Sequence, residues 1–244
     1  MLLAGDELIK RVVSDKIILN NKDTLNKDTW KNFNGWQFDL SLGDEVFLTR
    51  RNEPIKLHDK QEFVSISSGE FALLITEEEI KMPQDLMAFI NVRFSYKQKG
   101  LINISGFHVD PCYNGKLIFS VFNAGPNDII LRKSEAVFMI FFCKLTEGLS
   151  DFQGKINDES NEQHYIAMLE KDENAYSIIK GKNFSKKKSL TKIPGDMMSS
   201  LQGKSVSLVE NNARIEKLEN SFKIYGSIAI GVIVALLGFI LSRV

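Results

Sequence analysis

The sequence predicts a mainly β domain, closed or sandwiched, that opens with a short helix and is followed by a helical stalk and one transmembrane helix. Three observations carry this reading. Between residues 36 and 146, short apolar runs alternate with Gly, Pro and Asn punctuation. Residues 5–14, GDELIKRVVS, have helical periodicity with Asp6 near the start. Residues 224–241, IYGSIAIGVIVALLGFIL, carry no charge over 18 positions.

The elements follow in order. The amphipathic helix over 5–14 leads into a polar insertion at 20–34, rich in Asn, Asp and Lys. Strands are predicted in WQFDLSLGDEVFLT (36–49), FVSIS (63–67), FALLIT (71–76), LMAFINVRF (86–94), KLIFSVFN (116–123), DIILR (128–132) and AVFMIFFCKL (136–145). The β domain therefore covers 1–146. Residues 147–196 turn polar, with KINDESNEQ and KNFSKKKS, and read as a loop-rich extension and linker. The Lys186-Lys187-Lys188 run reads as solvated; contact with anionic lipid, at roughly 1 kcal/mol per basic residue, is the alternative.

Residues 197–223 regain helical character. Leu201, Leu208, Ile215 and Phe222 recur every seven residues, with Leu218 as a companion and Lys204 and Asn211 on the same companion row. One full stripe suits a helical stalk. The run over 224–241 would span about 27 Å as a helix, against about 30 Å of bilayer hydrocarbon. Lys223 and Arg243 bracket it, and Tyr225 sits where an interfacial aromatic would. Arg214, Lys217 and Lys223 precede it and only Arg243 follows, so the expectation is a single-pass C-terminal anchor in the lipid bilayer with the main domain in the cytoplasm. Gly231, Ala235 and Gly238 leave small surfaces for close helix packing.

The totals narrow the function class. Lys and Arg number 31, Asp and Glu also 31, so no net field draws the chain to nucleic acid. Phe is abundant at 17, and most of these residues suit a β-rich core. The only cysteines are Cys112 and Cys143. Asp6, Glu7, Lys10 and Arg11 interrupt the stretch a signal peptide would need, so a reducing compartment and free thiols are expected.

Several stretches then line up in one order: MLLAGDELIKRVV with DKIIL after it, NGWQFDLSLGDEV, SGEFALLITEEEIKMPQDLMAFINVRFS, KGLINISGFHVDPCYNGKLIFSVFNAG and IILRKSEAVFMIFF. Together they resemble the dCTP deaminase/dUTPase family across roughly residues 1–146. The helix, strand and FDLSLG segment look like the deaminase branch; SVFNAG looks nearer the dUTPase side. The resemblance implies a dUTPase-like distorted β-barrel or jelly roll. It also implies a homotrimer with three active sites at subunit interfaces, binding a pyrimidine deoxynucleoside triphosphate.

The family chemistry is only partly present. Removing ammonia from cytosine needs a carboxylate to activate water and move its proton. The glutamate that does so in the deaminase branch matches Ser120, and an unassisted serine has no useful base strength near neutral pH. The family's Arg-Ser-Ser motif matches Arg93, Phe94 and Ser95, and a further arginine falls at Gln98. A zinc deaminase site is absent from the sequence as well: His108, Pro111 and Cys112 are followed by Gly115 where a second cysteine would stand. The dUTPase reading keeps more. Asp110 matches the aspartate that orients and deprotonates water, with turn support as an equal alternative. Tyr113 matches the tyrosine under the deoxyribose, Gly115 permits the tight hairpin return, and Arg93 is a candidate phosphate contact. The family's Gly-rich, Arg-containing C-terminal segment is not visible. Mg2+ is implied only if a triphosphate is bound or hydrolysed; no protein metal site is expected.

Two readings stay open. One is a membrane-anchored nucleotide-binding sensor or effector with weak or lost catalysis, which could belong to nucleotide-based defence against phage. The other is an active enzyme that forms or hydrolyses dUTP at the membrane. A purely structural trimer is a third.

Overall fold

Strand-forming residues set the architecture from residue 18 to residue 144. In the computed structural model the described residues are 1–20, 23–24, 30–51, 53–60, 62–199 and 217–226. The chain divides into two units, Met1–Pro194 and Gly195–Val244. In the first, helix α1 (Gly5–Ser14) precedes strands β1 (Ile18–Asn20), β2 (Asp23–Thr24), β3 (Phe38–Leu48), β4 (Ile55–Lys56), β5 (Phe63–Ile66), β6 (Phe71–Lys81) and β7 (Leu86–Val92). Helix α2 (Phe94–Lys97) leads to β8 (Leu101–Asn103), β9 (His108–Val109), β10 (Tyr113–Asn123), β11 (Ile129–Arg132) and β12 (Ala136–Lys144). Helices α3 (Leu149–Asn157), α4 (Glu162–Met168) and α5 (Glu173–Lys180) follow, and then β13 (Lys188–Leu190).

The main sheet runs β13-β10-β6-β3-β12-β7-β9, and β5 pairs with β11 in a second small sheet. Alternation decides which face is core. Along β10, Leu117, Phe119, Val121 and Asn123 are buried, while Lys116, Ile118, Ser120 and Phe122 are half-buried on the other face. Phe119 stacks on Phe138 of β12 with ring centroids 4.0 Å apart. Those strands lie three steps apart in the sheet order. A flat sheet would hold them about 14 Å apart, so the sheet must curl around its core. The chain ends of this barrel meet as well: Leu3 N–H donates to Phe142 C=O at 2.8 Å, and Leu2 bridges Cys143.

Helix α1 buries Leu8 and Val12. Arg11 fastens it, donating from both terminal nitrogens to the Asp85 carboxylate at 2.8 Å and from Nε to Asp15 at 2.7 Å. The fork geometry matches a carboxylate and holds the Asp85 carboxyl below its usual range.

The polar stretch after residue 146 is more ordered than its composition predicts. It forms α3, α4 and α5, which bury Ile156 and Tyr176; the Tyr176 hydroxyl donates to Ile156 C=O at 3.2 Å. Asp172 caps α5 by accepting from Ala175 N–H at 3.0 Å.

The expected membrane anchor is corrected here. No helix among the described residues is long and apolar enough to cross a membrane. The helix described near that run covers residues 217–226 and carries Lys217, Glu219 and Lys223, a composition unsuited to hydrocarbon. Among the described residues the fold class is therefore mainly β with a curled sheet and a short N-terminal helix and no transmembrane helix, and these residues give no support to the membrane localisation drawn from it. Residues 227–244 of the apolar run, and Leu201, Leu208 and Ile215 of the heptad row, lie outside the described residues, as does part of the polar insertion at 20–34.

One charged residue sits deep in the fold. Glu78 of β6 is 3% exposed and accepts from Ser41 N–H of β3 at 2.9 Å. Beside it, Thr76 Oγ1 donates to Glu78 C=O at 2.8 Å and accepts from Leu117 N–H at 2.9 Å, bridging the register shift between Lys116 and Ile118. Burial pushes the Glu78 carboxyl up to about 7, against the pull of the Ser41 hydrogen bond. The folded chain therefore keeps a proton that the unfolded chain releases above its lower pKa. The contribution of Glu78 to stability is full in acid and falls as pH rises towards 7, by about 3 kcal/mol at about 1.4 kcal/mol per unit. Denaturant unfolding at pH 5 and pH 8 should show this loss in the native chain and a reduced one in Glu78→Gln; equal slopes in both would remove Glu78 as the cause.

Candidate functional site

Strand β10 and the turn before it position most of the residues singled out from sequence. The turn closes through Tyr113 N–H donating to Asp110 C=O at 3.3 Å, with Cys112 in the left-handed region at φ 62°. Asp110 Oδ1 lies 3.2 Å from His108 Nε2, and both side chains are nearly half exposed. The Phe107 ring meets His108 edge-on at 5.4 Å and stacks on Phe89 at 5.9 Å. Asp110 thus faces solvent beside an imidazole, where a water could be polarised.

Tyr113 opens β10. Its ring packs against the core and its hydroxyl donates to Lys116 C=O. Burial pushes that hydroxyl up to about 12, so it stays neutral. Gly115 has φ 150°, and any Cβ there would run into the Leu190 backbone of β13. The glycine serves this close approach as well as the hairpin return.

Ser120 lies further along β10 on the half-buried outer face, opposite Leu73 of β6. Its carbonyl accepts from Ile104 N–H at 2.7 Å and from Ser105 N–H at 3.3 Å. The end of the strand is fixed by Asn123. That side chain donates to Ile66 and Asn127 carbonyls, each at 2.9 Å, and accepts from Gly125 N–H at 3.0 Å. Gly125 and Gly100 press together where neither could carry a Cβ. The Asn-Ala-Gly segment is thus a structural clasp.

Arg93 ends β7. Its Nε lies 3.0 Å from the Asp39 carboxylate and its Nη1 donates to Ala136 C=O at 3.0 Å. Asp39 is 8% exposed, so the pair joins β3, β7 and β12 at a largely buried point. Phe94, Ser95 and Gln98 are exposed on and beside α2. Gln98 borders a cavity of about 550 Å³ with Lys99, Asn127, Asp128 and Ile130. A larger cavity, about 820 Å³, lies elsewhere, lined by Asp85, Lys144, Glu147, Asp151 and Lys155. It contains none of the residues picked out from sequence.

Within one chain these residues form two groups. Asp110, Tyr113 and Gly115 stand at the start of β10; Gln98 stands beside the 126–130 segment that follows its end, and Arg93 stands at Asp39 of β3 and Ala136 of β12. Ten residues separate Tyr113 from Asn123, about 30 Å at the rise of an extended strand, with Ser120 between. Asp39 was missed from sequence, although a charged residue among Phe38, Leu40 and Leu42 is the kind of signal that marks a buried partner. Among the described residues, no group of three or more His, Cys, Asp or Glu side chains could hold a metal ion, so a protein-held magnesium does not fit them.

A half-barrel hairpin with an acidic turn, a tyrosine and a strand-end clasp defines a class of β-fold protein, and comparison with known proteins narrows it. A family model described as dCTP deaminase-like matches residues 2–145. The chain belongs to the dCTP deaminase-like family. The dCTP deaminase of Pyrobaculum aerophilum is 32% identical over 166 residues, covering 63% of this chain and 90% of that protein. That of Pyrococcus abyssi is 32% identical over 108 residues, 44% of this chain and 68% of the relative. The crystal structure of 2'-deoxycytidine 5'-triphosphate deaminase from Agrobacterium tumefaciens superposes with a TM-score of 0.47 at 15% identity, covering 58% of this chain and 48% of that one.

The Arg93–Asp39 pair makes a direct claim on stability. Arg93→Met and Asp39→Asn should each destabilise the fold by about 1–3 kcal/mol, the range for hydrogen bonds to charged groups. The double variant should lose clearly less than the sum. Additive losses in a denaturant double-mutant cycle would show that the two side chains do not act as a pair.

Proposed function

We propose that this chain binds a pyrimidine deoxynucleoside triphosphate on the family scaffold and has weak or lost deaminase activity. The observation that carries this reading is Ser120. It occupies the position of the family's glutamate, on the half-buried outer face of β10, and it brings a hydroxyl where deamination needs a carboxylate. The exposed Phe94 stands where the family motif has a serine, and Arg93 is held by Asp39 instead of facing solvent alone. Relatives are described as dCTP deaminases, which supports dCTP or its product dUTP as the ligand.

In this reading, the hairpin supplies the base and sugar contacts. The outer edge of β10 pairs with β8 from residue 121 onward and with β13 over 113–115. Residues 116–119 between them have no strand partner on that edge among the described residues; Lys116 C=O accepts from Tyr113 and Leu117 N–H donates to Thr76, so it is the backbone of Ile118 that is offered to a pyrimidine edge. Tyr113 and Gly115 flank the sugar, and Ser95 and Gln98 serve the phosphates. Because the two groups of residues lie far apart, we infer that a site is completed between copies in a homotrimer. Mg2+ would arrive with the triphosphate and be held by its oxygens.

A second reading is favoured by Asp110. Its carboxylate is accessible and paired with His108, an arrangement suited to polarising a water for dUTP hydrolysis. One experiment separates the two. With dCTP or dUTP and Mg2+, the chain should gain thermal stability, about 2.7 kcal/mol at a hundredfold excess over Kd, without releasing ammonia. Steady ammonia release from dCTP would overturn the binding reading. Pyrophosphate release from dUTP that disappears in Asp110→Asn would establish the hydrolase instead.

A further inference from the structure

Every strand pair among the described residues is antiparallel except one. β13 runs parallel to the start of β10, with Tyr113 opposite Lys188, Asn114 opposite Ser189 and Gly115 opposite Leu190. The segment that carries it is tied down at both ends. Upstream, Phe184 N–H donates to Gln153 Oε1 of α3 at 3.1 Å. Downstream, Ile193 is 2% exposed and its N–H donates to Glu45 Oε1 of β3 at 3.2 Å. Between these anchors the strap lies against Gly115 so closely that no side chain could stand there.

From this we infer that the 184–193 segment is a built-in strap that competes with nucleotide for the Tyr113–Gly115 edge of β10. A glycine at φ 150° lets another backbone come near. In this chain the backbone that comes near is its own. The inference rests on the nucleotide reading of the hairpin given above. Three ladder positions are a short attachment and the strap's Ser189 is exposed, so release costs little besides the burial of Ile193. The fraction of chains with the strap released sets the apparent affinity, since the apparent Kd is the intrinsic Kd divided by that released fraction. Binding then opens the strap and frees the polar 184–193 stretch as a signal that nucleotide is present.

The test uses the full chain with dCTP and dUTP in Mg2+. Two variants release the strap at different points, and neither residue belongs to the proposed site. Ser189→Pro puts a proline into the three-residue strand β13, and Ile193→Asp removes the buried anchor. Both should bind nucleotide at least about fivefold more tightly than the native chain. Hydrogen exchange should show amides 188–190 protected in the native chain and exchanging faster on nucleotide addition. Unchanged or weaker binding in both variants, or greater protection of 188–190 with nucleotide, would overturn competition and make the strap a cover that closes on the ligand. If neither nucleotide binds any form, including the released ones, the reading of the hairpin as a nucleotide site fails, and the strap's role with it.

Discussion

Strand β10 has two faces and two edges, and the rest of the structure depends on how they are assigned. Its inner face gives Phe119 to the stack with Phe138 that curls the sheet. Its outer face gives Ser120. One edge is bound along most of its length to β6; the other is shared between β8 and β13. The period of two along a strand forces this division: moving the register by one residue would put Phe119 outside and Ser120 in the core. Fold and candidate site are therefore specified by the same alternation.

The clasp at the end of β10 shows how a family motif divides between chemistry and architecture. Asn123 uses both ends of its amide on backbone groups, and Gly125 and Gly100 meet without room for side chains. No ligand is needed to explain this segment. Arg93 is similar, because Asp39 and Ala136 account for its position.

Much of the barrel was legible in sequence. The helix over 5–14 and the strands from 38 to 144 follow their apolar periods, since burial on one face imposes that pattern. Strand β6 runs past the apolar FALLIT segment to Lys81, because Glu77, Glu78 and Glu79 hid its continuation and only one of them, Glu78, turns inward. Helices α3 to α5 were hidden because they bury so little, chiefly Ile156 and Tyr176. The uncharged run at 224–241 states hydropathy plainly; only 224–226 of it are described, and no helix among the described residues is long and apolar enough to cross a membrane. At the site, Asp110, Tyr113 and Gly115 could be found from their turn. The Arg93–Asp39 pair and the strap could not, because they join residues 54 and 75 positions apart, counted as 93 − 39 and 188 − 113, and no local pattern encodes such contacts.

The contact of Leu3 with Phe142 has a consequence for how the protein is made. A barrel whose N-terminal segment must meet β12 cannot close while that strand is still inside the ribosome. Until residues 136–144 emerge, the nascent chain holds an open sheet with exposed edges, the state most open to mispairing. The strap's Lys188 follows Lys144 by 44 residues, counted as 188 − 144, so at about 5–20 residues per second the barrel has about 2–9 seconds to settle before the strap can dock.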